Sequence, residues 1–133
     1  MSEGMQYYIR GSNFTVEVKH WVQEGSSENN WTVYAIIPER HPLYSQLSQV
    51  TPYYEQDVIS AMPLHGGCTY AEFFTQAQPA ETPINRNFYK IGCDYQHYCD
   101  EQFLALTPAD VKQSPVWADA LALRDYLEGF NHV

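Results

Sequence analysis

Apolar and polar residues alternate most regularly over residues 14–22, FTVEVKHWV. Phe14, Val16, Val18 and His20 fall on one side, and Thr15, Glu17, Lys19 and Trp21 on the other. A period of two predicts a strand with one buried face. The polar stretch GSSENN (25–30) then reads as a turn, and WTVYAII (31–37), β-branched and aromatic, as the second arm of a hairpin. Pro38 has no amide hydrogen and closes that arm. Two further strands are expected at CTYAEFF (68–74), after a Gly66–Gly67 turn, and at FYKIGCDY (88–95). The stretch between them, TQAQPAETPINRN (75–87), reads as a surface loop. Residues 39–54 are interrupted by Pro42 and Pro52, which predicts a loop with one helical turn near 43–49. A short strand is expected around 56–62.

The period changes near the C-terminus. Thr107 and Ser114 each precede a proline, the arrangement of an N-cap followed by a first helical residue. Val116, Ala120, Leu123, Leu127 and Phe130 then recur at helical spacing, and Gly129 reads as the stop. Strands first and a helix last predict a single α+β domain over residues 1–133: an antiparallel sheet of about four to six strands with the C-terminal helix on one face.

Composition supports a packed core, since 44% of the 133 residues are hydrophobic and 15% aromatic. No apolar run is long enough to span a bilayer, so no membrane is expected as a partner. The first residues lack the basic-then-apolar order of a secretory signal, which points to the cytoplasm. Three cysteines, Cys68, Cys93 and Cys99, form no CxxC pair and are expected to be reduced. The net charge of −9 arises from only seven Lys and Arg against 16 acids. Direct nucleic-acid binding needs cations to displace phosphate counterions and is therefore disfavoured. Either solubility or a partner with a basic surface accounts for the acidity.

Chemistry-bearing side chains gather in two places. PLHGGCTYAEFF (63–74) sets His65, Gly66, Gly67, Cys68, Thr69 and Tyr70 in succession. IGCDYQHYCDE (91–101) spaces Asp94, His97 and Asp100 three apart, with Cys93, Cys99 and Glu101 between. Imidazoles and carboxylates are ligands for zinc and related ions, and His65, Asp94 and His97 form one candidate set, with His41 a further candidate. No strong zinc spacing is present, so hydrogen-bonded turns and a metal-free polar network stand beside the metal reading. Cysteines 68 and 93 also fit as small core residues, and the acids around Cys99 oppose a reactive thiolate. The two glycines match no phosphate-loop frame and suit a positive φ or a close approach.

The strings HPLY, LHGGCTY and IGCDYQHYCD resemble a set of small, mostly uncharacterised proteins of bacteriophages and other mobile elements. Members of that set carry an HP pair, then HGG with a hydrophobic residue and TY, then GFDC, one residue, His, two residues and Asp. The matching positions are His41, Pro42, His65, Gly66, Gly67, Thr69, Tyr70, Gly92, Asp94, His97 and Asp100, within residues 34–101. Cys68, Cys93 and Tyr95 depart from it. The resemblance implies a phage or mobile-element origin and brings no activity.

Two functions are therefore carried forward. One is a non-catalytic phage or mobile-element accessory protein, needing no cofactor, that binds and inhibits a host component such as an anti-viral defence complex with a basic surface. Tyr7, Tyr8, Tyr53 and Tyr54 are its candidate anchors, with sheet packing as their alternative role. The other is a metal-dependent hydrolase or small-ligand-binding protein built on His65, Asp94 and His97, with zinc or another divalent ion.

Overall fold

The computed structural model describes residues 4–75, 87–97 and 100–132. Five strands, β1 (Met5–Arg10), β2 (Thr15–Val22), β3 (Asn29–Pro38), β4 (Tyr70–Phe74) and β5 (Phe88–Asp94), form one antiparallel sheet in the order β1-β2-β3-β5-β4. Three α-helices follow the chain order α1 (Asp57–Ser60), α2 (Glu101–Leu104) and α3 (Pro115–Gly129). The α+β architecture with a C-terminal helix on an antiparallel sheet is the one the periodicity predicts.

Alternation decides the core. Val16 and Val18 pair with Ala35 and Val33, which pair in turn with Ile91 and Cys93, so all six share one face. All are essentially buried. The stripe Val116, Ala120, Leu123 and Leu127 of α3 covers this face and is fully buried itself. Burial of such side chains stabilises the fold by about 1.5–3 kcal/mol each.

Several expectations change in detail. Residues 56–62 contain helix α1 and no strand. Ile59 and Met62 are both buried, and a separation of three turns both inward only if the chain is helical. Strand β1 was not anticipated, because only Tyr7 and Ile9 of its residues pack on the core and the hydrophobic alternation is therefore faint. Thr107 and Ser114 do not cap with their side chains. Ser114 Oγ instead donates backward to the Val111 carbonyl at 2.6 Å, joining the 3₁₀ turn Pro108–Gln113 to α3. Gly129 does not end the helix with a left-handed residue; the chain continues into a turn at Phe130–His132, held by Asn131 to Asn13. The loop expected at 75–87 lies mostly outside the described residues. Among the described residues no helix is long and apolar enough to cross a membrane.

Candidate functional site

The site begins with a turn. Gly67 N–H donates to Leu64 O at 2.9 Å, and Gly66 and Gly67 have φ of 68° and 89°. This left-handed region favours glycine because a Cβ would clash with the backbone. A Cβ at Gly66 would also lie 2.9 Å from Cε1 and Nε2 of His97. Both roles foreseen for the pair, positive φ and close approach, meet at Gly66.

The turn presents the His65 ring to the end of β5. The ring stacks on Tyr95 with centroids 4.4 Å apart and planes 10° from parallel, and Phe103 of α2 closes its edge at 5.4 Å. Tyr95 continues the core-facing alternation of Tyr89, Ile91 and Cys93, and its hydroxyl donates to Asp119 Oδ2 of α3 at 2.7 Å. It was not singled out from the sequence as a site residue, although a spacing of two from Cys93 placed it on the core side.

Asp100 joins the two imidazoles. His65 Nε2 lies 2.8 Å from Oδ1, and His97 Nδ1 lies 3.0 Å from Oδ2. The His97 backbone N–H donates to the same Oδ2 at 2.8 Å. An ionised carboxylate only accepts, so both ring contacts require N–H donors. Burial acts to raise the Asp100 carboxyl pKa, but the bonds from His65 and from the backbone and ring of His97 outweigh it and hold it below the ordinary range. His97 Nε2 is buried against Gly66 with no hydrogen-bond partner among the described residues. A ligand-type atom from each of His65, His97 and Asp100 lies within 4.8 Å of the others. His97 and Asp100 also line a cleft of about 230 Å³ with Glu28, Tyr95, Glu101 and Leu104.

The other candidates fall elsewhere. Asp94 is not part of the tight set: Oδ1 is 3.7 Å from His97 Nδ1 and accepts the Gln96 backbone N–H, the turn-capping role of an aspartate at a strand end. Asp100 replaces it because the backbone turn brings residues 97 and 100 together. Thr69 is exposed, and its N–H extends the β4–β5 ladder to Gly92 O. Tyr70 points to the opposite sheet face, where its ring meets Tyr34 and its hydroxyl donates to Glu72 at 2.5 Å; burial, then Glu72, raises its pKa.

His41 is no ligand either. It is buried between α3 and the turn Pro42–Gln46, with Nε2 2.9 Å from Leu127 O and Nδ1 accepting from Leu43 N–H at 3.1 Å. Desolvation lowers its pKa, countered in part by the Leu127 carbonyl and by Glu128. Burial pushes the Cys93 thiol up to about 12 and raises that of Cys68 as well, which removes the thiolate character nucleophilic chemistry needs. Cys99 lies outside the described residues. Of the tyrosines, Tyr7 packs on Trp117 and Tyr53 on the core, whereas Tyr8 and Tyr54 are 49% and 69% exposed.

The fold and this centre define an α+β protein with a carboxylate-bridged imidazole pair, of which His97 and the bridging Asp100 line a cleft. Compared with known proteins, the chain matches no family model, no curated protein and no solved structure.

Proposed function

We propose that this chain is a metal-dependent hydrolase that holds one divalent cation, zinc by preference, with His65, His97 and Asp100. The observation that carries this reading is the convergence within 4.8 Å of the His65 imidazole with the His97 imidazole and the Asp100 carboxylate, Asp100 lying 35 residues beyond His65 in the chain, beside a cleft. Three protein ligands are what catalytic zinc sites use, with a further position left for water. A bound ion would supply a water of lowered pKa. The chain's own part is to place ligands and shape access. Tyr95 and Phe103 fix the His65 ring, and Gly66 fixes the His97 ring. Glu28 and Glu101 line the cleft and disfavour anionic substrates, leaving neutral or cationic esters and amides as the substrate class. A bound cation would require neutral imidazoles, with the ring nitrogens that now face Asp100 free of their protons.

Elemental analysis of protein purified and dialysed with zinc tests the proposal. One equivalent per chain is expected, lost in His65→Ala and in Asp100→Ala, with chelator-sensitive hydrolysis of a neutral chromogenic ester. His97→Ala is also expected to lower the melting midpoint, because its ring packs on the glycine turn. A chain that takes up no stoichiometric zinc, manganese or cobalt in titration calorimetry overturns the metal site.

A second reading has its own support. In it the chain is a bacteriophage or mobile-element accessory protein, acting in the host cytoplasm, that inhibits a host complex by covering a basic surface. Val50 and Tyr54 are 91% and 69% exposed on one loop, and Glu55 and Asp57 beside them are exposed acids. An apolar anchor within an acidic rim suits a basic protein partner.

A further inference from the structure

The sheet face opposite α3 has no helix laid on it among the described residues. Its side chains touch one another instead. Tyr34 lies against Gly92, where a Cβ would collide with the Tyr34 ring, and meets Tyr70 edge-on at 5.3 Å. Lys90 Nζ sits 4.6 Å from the Tyr34 centroid and 3.1 Å from Glu17 Oε1. Arg10 lies over Tyr8 and Lys19 over Trp21.

Charge distinguishes this face from the rest. Arg10, Lys19 and Lys90, three of the chain's seven cations, share it with three acids, Glu17, Glu72 and Asp94. The charges on its strand side chains cancel, and the other described residues carry eleven acids against three cations, Glu24 among them at the edge of this face. A second copy is repelled by the remaining surface and tolerated here.

The register adds a geometric match. One row across the sheet reads Tyr8, Glu17, Tyr34, Gly92, Tyr70. The next reads Arg10, Thr15, Ile36, Lys90, Glu72, and the row on the other side Gln6, Lys19, Thr32, Asp94. A two-fold axis along β3 lays β1 of one copy over β4 of the other, and β2 over β5. Arg10 then faces Glu72 of the second copy, Lys19 faces its Asp94, Tyr8 faces its Tyr70, and the two Tyr34 rings meet on the axis. An axis across the strands brings only Lys90 opposite Asp94 and leaves Arg10 opposite Gln6. The strands are 6, 8, 10, 5 and 7 residues long, so at about 4.8 Å between strands and about 3.4 Å per residue this face covers roughly 590 Å². That is below the roughly 800 Å² per partner of a standard interface and is the size of a weak, concentration-dependent pair.

We propose that two copies of this chain pack sheet face on sheet face, as an aligned sandwich about a two-fold axis along β3. The interface uses none of the three metal ligands, so it stands or falls separately from the metal centre.

Size exclusion with light scattering over a wide concentration range tests it. A mass of twice 15.4 kDa is expected. Arg10→Glu and Glu72→Arg each shift the population to single chains, and the combined swap restores the pair. Glu72 neighbours Lys90 in register, so Glu72→Arg also strains the fold, and thermal melting monitors this. Lys19→Glu is the second disruptor; it lies one row from Glu17 on β2, so its melt is monitored in the same way. Single-chain mass at every concentration overturns the proposal, as does a dimer that persists unchanged in both Arg10→Glu and Lys19→Glu.

Discussion

At the residue scale, Asp100 organises the candidate centre. Its two oxygens hold two rings and one backbone N–H, and its carboxyl is held below the ordinary 3.8. A carboxyl depressed in the folded state contributes stability above its unfolded pKa, which is lost as pH falls through the folded value. The melting midpoint of the metal-free protein is therefore expected to fall as pH drops below about 3.8. Asp100→Asn removes that contribution: it lowers the midpoint at neutral pH and flattens the acid limb. Calorimetric melts of both proteins against pH check this, and parallel curves would refute it. The residue types of this centre were legible from the spacing of Asp94, His97 and Asp100. Which aspartate joins His65 was not, because Asp94 and Asp100 are equally spaced from His97 and only the turn after β5 separates them.

At the element scale, α3 and the glycine turn do most to position the centre. The α3 stripe seals the core face of the sheet, and Asp119 beside that stripe anchors Tyr95, on which His65 lies. Leu123 is fully buried in it. Leu123→Ala should destabilise the fold by about 2–5 kcal/mol, since the cavity adds to the lost transfer energy. Urea titration measures this, and a loss under about 1 kcal/mol would mean that α3 is loosely docked. The helix and four of the strands were readable because a strong period fixes which side is buried. Strand β1 and helix α1 were not: β1 is an edge with few buried residues, and α1 is a single turn whose inward residues are decided by what packs above them.

At the scale of the whole molecule, charge is unevenly placed. The strand side chains of the sheet face away from α3 balance in charge, whereas the exposed acids Glu55 and Asp57 follow Val50 and Tyr54. If the accessory reading holds, affinity for a basic host partner should fall as salt rises through the physiological range, because screening shortens with ionic strength. Pull-down of the same partner in a salt series measures this, and salt-independent capture would count against electrostatic steering. The amino-acid sequence alone determined the strand and helix periods, the buried faces, the net charge and the two chemical clusters, because each is set by residues close in the chain. Tertiary structure decided which members of those clusters meet. His65 and Asp100 are 35 residues apart, and His41 and Tyr70 carry the same kinds of groups yet lie in the core and on the far sheet face. Closing such long loops depends on packing of the entire sheet and helix, and no local pattern encodes it.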